Sequence, residues 1–336
     1  MSRKKITIAD IAGKLGISPT TVSFVLNGRD NGISDSTREA VVKTASAMGY
    51  KRSNPPNNRT GWTKVAYVTS HVEFFNFNTS FFAYVYSHLQ KRALNDKFEL
   101  FLLELNPNDT FSNCNKRLQE FRSIGIEVCL ANSPEIISCL ASVGFKSILV
   151  QCGTMPDTVC IYCDDYAAGR EAALYALKMG HRRAGMIFPK DISGPRFNGF
   201  YETFTSGGGD CLHQHIWQLS FEHDKTAAAI EKLAKKSGKL PSIFYCFADN
   251  LVFPALRGFI KSGLRVPEDI SLIGTDNLYW GSIATPAFTT VDLNEELFAE
   301  KVSLAIQDVK NGAKAYQLAV PVKLIPRETV KQLTKK

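Results

Sequence analysis

Between residues 7 and 27, apolar positions recur at helical spacing in two short blocks. Ile8, Ile11, Ala12 and Leu15 share one face of a predicted first helix. Gly16 falls where that helix must stop, since glycine takes positive φ without steric cost. Ser18-Pro19 predicts a restart, with the Ser18 hydroxyl accepting from orphan amides at the N-cap and Pro19 suited to the first helical position. Val22, Val25 and Leu26 form the apolar side of this second helix and leave Pro19, Thr20, Ser23, Phe24 and Asn27 facing outward. Ser34-Asp-Ser-Thr-Arg-Glu opens a third helix that runs to Met48-Gly49-Tyr50. The polar segment 51–62, broken by Pro55, Pro56 and Gly61, reads as a linker.

Beyond the linker, apolar strings alternate with amphipathic stretches. Strands are expected at Val65–Thr69, Leu100–Leu105, Val128–Ala131, Ser147–Gln151, Val159–Cys163, Ala184–Phe188, His215–Leu219, Ser242–Phe247 and Ser271–Gly274. Helical patterns such as Ser80–Asn95, Asp165–Met179, Asp224–Lys236, Asn250–Ser262 and Glu295–Asn311 lie between them. Such alternation implies parallel sheets covered by helices. About nine units exceed what one open sheet usually holds, so two α/β lobes are expected.

Charge separates a helical hairpin of no special role from a nucleic-acid module. Residues 1–60 hold ten Lys or Arg against four acids, which leaves +6 of the chain's +8. A basic excess confined to so short a segment is the footprint of phosphate contact, and the polar outer face of the second helix suits a DNA major groove. No apolar run reaches the length of a membrane span and the N-terminus lacks an apolar signal core, which predicts a cytoplasmic protein with no membrane partner. The eight cysteines sit mostly inside apolar strings and read as buried hydrophobes of a reducing compartment. Cys160-x-x-Cys163 lacks a second pair, and His213-x-His215, sharing a face on an expected strand, lacks a third ligand; neither is read as a metal site. No dinucleotide fingerprint, Walker loop or nucleophile elbow is present, so neither an enzyme nor a cofactor is expected.

The string Thr7-Ile-Ala-Asp-Ile-Ala through Thr21-Val-Ser-Phe-Val-Leu-Asn-Gly resembles the headpiece of the lactose-repressor (LacI/GalR) family of bacterial transcription regulators. Further similarities follow in order: Asn78-Thr-Ser-Phe-Phe-Ala, Asp164-Asp-Tyr-Ala-Ala-Gly, Met179-Gly-His-Arg-Arg, Arg196-Phe-Asn-Gly-Phe, Asp249, Gly274-Thr-Asp276 and Pro286-Ala-Phe-Thr-Thr. The resemblance implies an all-α helix-turn-helix headpiece (1–50), a linker or hinge (51–63) and an α/β two-lobed, type I periplasmic-binding-protein-like body with parallel sheets (64–336). Lobe 1 would comprise about 64–163 plus 291–320 and lobe 2 about 164–290 plus 321–336, with crossings near Cys163, Val291 and Val320–Val322. It implies a homodimeric transcription regulator, a repressor, that reads a pseudo-palindromic double-stranded DNA operator and answers to a small effector, a sugar or derivative, held between the lobes. A regulator of the same fold without small-molecule response, or a solute-binding protein, stays open as an alternative.

By the same resemblance the DNA-contacting residues are Thr7, Ile8, Ser18, Pro19, Thr20, Thr21, Ser23, Phe24, Asn27 and Arg59. Arg196, Asp164, Asp249 and Asp276 follow strand candidates and would converge on the effector with Phe77, Asn78 and Phe81; an Arg and carboxylates suit a ligand whose hydroxyls both donate and accept. The chain departs from the family at three places. Ala248 stands where many members have a polar Asn. Pro55, Pro56 and Arg59 occupy the segment that in the family forms a hinge helix with a wedging Leu, so Arg59 is expected either to enter a narrow A·T-rich minor groove as a shape-reading cation or to touch phosphate from a tether. Phe24 replaces a common Arg; a phenyl ring cannot read guanine bidentately but packs against thymine methyls. Selection from random DNA should therefore return thymine opposite Phe24, and an obligatory guanine contacted by that side chain would overturn the assignment.

Overall fold

The computed structural model describes residues 6–26, 33–48, 50, 61–70, 81–106, 108, 111–151, 153–189 and 194–333. Asn27, Arg59, Phe77 and Asn78, with the linker prolines Pro55 and Pro56, lie outside the described residues. The chain divides into two compact units, Met1–Trp62 and Thr63–Lys336.

The first unit holds three helices, α1 (Ile8–Leu15), α2 (Pro19–Leu26) and α3 (Asp35–Ala47). Each begins on a hydroxyl. Thr7 and Asp10 form a reciprocal capping box on α1, Ser18 Oγ accepts from the Thr21 amide at 3.0 Å, and Ser34 Oγ accepts from Thr37 at 3.4 Å. Gly16 closes α1 in the left-handed region at φ 65°. Ile11, Ala12, Val22, Val25, Val41 and Ala45 make the buried core. So small a core contributes little apolar burial, and the caps, each worth about 1 kcal/mol, carry a correspondingly large share of the stability.

The second unit contains two six-stranded sheets. The first has the order β11-β5-β4-β3-β1-β2, with β1 (Thr63–Thr69), β2 (Phe98–Glu104), β3 (Val128–Ala131), β4 (Lys146–Val150), β5 (Val159–Cys163) and β11 (Gln317–Val320) all parallel. Helices α4 (Phe81–Ala93), α5 (Phe111–Ile124) and α6 (Pro134–Ser142) connect its strands. The second has the order β12-β10-β9-β8-β6-β7, from β6 (Ala184–Pro189), β7 (Ile216–Leu219), β8 (Ile243–Cys246), β9 (Ser271–Thr275), β10 (Thr289–Asp292) and β12 (Lys323–Ile325). Here α7 (Asp165–Lys178), α8 (Pro195–Ser206), α9 (His223–Lys236), α10 (Asp249–Lys261) and the short α11 (Tyr279–Ile283) intervene, and α12 (Glu295–Lys310) returns to pack on α4. The edge strand β12 runs antiparallel to β10, an exception to the parallel expectation.

The chain passes from the first sheet to the second after Cys163, back after Asp292, and across again between Val320 and Lys323. These three segments bond to one another: Cys163 Sγ donates to Leu293 O at 3.4 Å, and the Asp164 amide to Val320 O at 3.3 Å. Two histidine and cysteine expectations resolve here. His213–His215 is a 3-10 turn, not strand, and leaves His213 exposed and His215 buried, so the two imidazoles do not share a face. Cys160 and Cys163, three apart on β5, point into different apolar clusters.

Close helix packing needs glycine at one crossing. A Cβ on Gly169 of α7 would lie 2.1 Å from Arg196 O, and one on Gly199 of α8 would lie 2.0 Å from Tyr166 O. The backbones of α7 and α8 thus meet directly at their N-terminal ends.

His181 is fully buried where β6, β8 and the C-terminal strap meet. Its Nε2 donates to Lys331 O at 3.1 Å, which leaves Nδ1 to accept from Ser242 Oγ at 2.8 Å. Burial lowers its pKa from the ordinary 6.5 to about 4. The unfolded chain therefore takes up a proton near pH 6.5 that the folded chain refuses until about pH 4, and stability falls as pH drops through that window, by about 3 kcal/mol in all. Thermal unfolding between pH 7 and 4.5 should show a shallower acid limb for His181→Gln than for the parent chain.

Candidate functional site

On the headpiece, the outer side of α2 is free of the core. Pro19 and Thr20 are exposed, and Thr21, Ser23 and Phe24 are half-buried and absent from the apolar cluster. Ile8 is half-buried and packs against the core, because it continues the apolar face of Ile11 and Ala12. The Thr7 and Ser18 hydroxyls are already engaged in capping, Thr7 with Asp10 at 2.7 Å and Ser18 with Thr21 at 2.8 Å.

In the body, the chemistry converges on Arg196. It lies in the first turn of α8 and is only 5% exposed. A cation there faces the positive end of its own helix, and burial adds a desolvation cost. Carboxylates offset both. Arg196 Nε and Nη2 donate to Asp165 Oδ1 at 3.0 and 2.6 Å, and Nη1 lies 3.7 Å from Asp276 Oδ1. Nη1 also donates to Phe247 O at 2.6 Å, with the guanidinium carbon 4.4 Å from the Phe247 ring centre. Although burial works against its charge, Asp165 and Asp276 hold the Arg196 pKa above its ordinary value.

Asp276 follows β9 and is held at φ 107°, with Asn277 next to it at φ 54°. Non-glycine residues in this region cost roughly 1–3 kcal/mol each and persist only where surrounding contacts impose them. Burial raises the Asp276 carboxyl well above the ordinary range, Arg196 opposing and the neighbouring Asp249 and Asp165 adding to the rise. Glu295, at the start of α12, is pushed up to about 7 by burial and by Asp292 and Asp276. Burial raises the Tyr84 hydroxyl on α4 above its ordinary value, with the backbone of Tyr279 on α11 opposing the rise.

Three of the expected ligand groups have partners within the protein. Asp164 caps α7, its Oδ1 accepting from the Ala167 amide at 2.8 Å. Asp249 is fully buried and braces the loop after β9: Oδ1 accepts from Thr290 Oγ1 at 2.8 Å and Oδ2 from the Leu278 amide at 2.9 Å. Burial lifts its pKa to about 7, and the close approach depends on Gly274, where a Cβ would stand 2.0 Å from Asp249 Oδ1. Phe81 is 7% exposed in the core, edge-on to Phe298 at 5.3 Å, because its ring fills the space between α4 and α12. Sequence reasoning missed Asp165, the chief partner of Arg196. Its position one residue past a cap was the available signal, since the capping residue spends its own carboxylate on the helix.

Among the described residues no cluster of three or more His, Cys, Asp or Glu could hold a metal, and no helix is long and apolar enough to cross a membrane.

Comparison with known proteins places these features. Residues 7–53 match the family described as bacterial regulatory proteins, lacI family, and residues 173–330 match a periplasmic binding protein-like domain. The HTH-type transcriptional repressor PurR of Mannheimia succiniciproducens is 24% identical over 97% of this chain and 99% of its own length. That of Pasteurella multocida is 26% identical over 97% and 98%. Among solved structures, a transcriptional regulator CelR–cellobiose complex superposes with a TM-score of 0.69 at 24% identity, over 97% of this chain and all of that one. The lac repressor dimer bound to operator and the anti-inducer ONPF gives 0.68 at 19%, over 98% and 100%.

Removing the Arg196 side chain leaves the buried Asp276 carboxyl without its cation, while Asp165 keeps access to solvent, so the cost falls below that of breaking a fully buried pair, about 3–5 kcal/mol. Arg196→Ala should lower the urea midpoint of the body accordingly, and Asp165→Asn added to it should recover part of the loss.

Proposed function

Because the chain belongs to the LacI family of bacterial regulatory proteins, we propose that it is a cytoplasmic transcriptional repressor, not an enzyme, that binds a pseudo-palindromic operator as a homodimer. The observation that carries this reading is α2, whose outer side presents Pro19, Thr20, Thr21, Ser23 and Phe24 clear of the headpiece core. An exposed polar helix face on a basic module is what a major groove accepts. The domain division proposed is a headpiece to about residue 50, a linker to 63, and a two-lobed effector and dimerisation body beyond it.

Dimerisation finds support in an apolar groove of about 940 Å³ on the second lobe, between α10 and α11. Phe253, Leu256, Ile260, Trp280 and Ile283 line it, and the last three are 46–55% exposed. A contiguous apolar surface of this kind marks an interface. Arg257 and Lys261 line the groove as well, and Arg257 is paired with Asp224 of α9, so a second copy would meet an apolar floor with a largely neutralised rim.

The effector proposed is a sugar or derivative, seated where Arg196, Asp165 and Asp276 meet the Phe247 ring. Carboxylates and guanidinium suit hydroxyls, and an aromatic face suits the C–H side of a pyranose. The solved relatives include one complexed with cellobiose and another, from Enterococcus faecium, with ribose (TM-score 0.66, 17% identity, 81% of this chain and 100% of that chain). Loss of effector response is the second reading, favoured by one observation: three of the five N–H donors of Arg196 are already taken by Asp165 and Phe247 O, which leaves a ligand only the remaining two.

Gel-shift titration with selected operator DNA, and melting in the presence of a panel of mono- and disaccharides, test these readings together. Specific binding and a melting shift from at least one sugar are expected; no specific DNA binding sinks the regulator reading, and no shift with any sugar favours the effector-free one. Ile260→Glu should convert the dimer to a monomer in sedimentation and weaken operator binding at least tenfold.

A further inference from the structure

The strained turn at Asp276–Asn277 is held from a distance. Arg327 lies two residues past β12, in the segment that follows the third crossing between sheets. Its Nη2 donates to Asn277 Oδ1 at 2.6 Å and its Nη1 to Phe288 O at 2.8 Å, while its own amide donates to Thr289 Oγ1 at 2.9 Å. The planar fork thus joins the turn to the residues just before and at the start of β10. The turn's remaining ties run to the same strand and to Asp249: Asp276 N–H to Val291 O at 2.9 Å, Asn277 N–H to Thr290 Oγ1 at 3.3 Å, and Leu278 N–H to Asp249 Oδ2. Of these ties only the one from Arg327 grips the Asn277 side chain through a charged group, at a residue whose positive φ disfavours the conformation it must keep.

We infer that Arg327 is a positioning residue of the cleft: it clamps the Asp276–Asn277 turn and so holds the Asp276 carboxylate against Arg196. This rests on the reading of that cleft as an effector site. Since β12 is the first element after the third crossing, the clamp also ties the crossing mechanically to the carboxylate that a ligand would meet. A shift of the lobes about that crossing moves the anchor of Asp276 with it.

The test uses the full-length protein without any ligand, so it stands apart from the sugar panel. Amide hydrogen exchange of peptides covering 276–278 is followed by mass spectrometry in Arg327→Met, Arg327→Lys, Asn277→Gly and the Arg327→Met/Asn277→Gly double variant. Lysine keeps the positive charge but cannot donate in two directions from one plane. Both Arg327 variants should speed exchange at 276–278 at least tenfold, with peptides of α9 and α12 unchanged. In the Asn277→Gly background, where the acceptor is gone and positive φ costs nothing, Arg327→Met should add less than threefold. Unchanged exchange at 276–278, acceleration spread equally over α9 and α12, or full additivity in the double variant would each overturn the assignment.

Discussion

A guanidinium buried at the N-terminal end of its own helix cannot stand alone. Arg196 is placed there by α8, and the body accommodates it only by bringing two carboxylates from distant stretches of chain. Asp165 arrives because α7 and α8 touch backbone to backbone at Gly169 and Gly199. Asp276 arrives because the chain after β9 accepts a left-handed turn. Each condition constrains the others: a side chain at either glycine would part the helices, and a relaxed turn would withdraw the second carboxylate. The charge at the centre and the steric exceptions around it are one arrangement.

On the proposed effector reading, that arrangement also sets what a ligand meets. Asp165 and Phe247 O already take three of the five donors of Arg196, so an incoming hydroxyl finds few free N–H groups there and contributes modestly by that contact alone. Selectivity then rests on how well the rest of the ligand fits between the lobes. Binding energy that favours one lobe arrangement over another is what transmits a signal, whereas tight binding to both transmits none. On the same reading, the three crossing segments, bonded to one another through Cys163, Leu293, Asp164 and Val320, are where a rearrangement of the lobes would bend.

The headpiece meets a different constraint. With six buried apolar residues among those described, it can spare few side chains for both packing and recognition, and it divides them between the two. Thr7, Ser18 and Ser34 start helices, Ile8 and Ile11 fill the core, and the outer residues of α2 are left to whatever that surface meets. Ile8, an apolar residue at the helix start, packs against that core, because a small domain has few other ways to bury area.

Much of this was legible in one dimension. Capping hydroxyls, the stop at Gly16, the nine apolar strings that became β1 to β9, and the order of strand and helix all depend on neighbours within a turn or two, so the sequence alone determines them. The short, polar or edge strands β10, β11 and β12 carried too few alternating positions to stand out. Which acid meets Arg196 was a tertiary decision. Asp164 and Asp165 are adjacent, yet one caps its helix and the other reaches across 31 residues. Asp249 and Phe81 belong to the interior for the same reason, their partners lying far along the chain. Local propensity is set by adjacent bonds, but burial and pairing of charge are set by which segments the folded chain brings into contact, and that is settled only when both sheets and their crossings are in place.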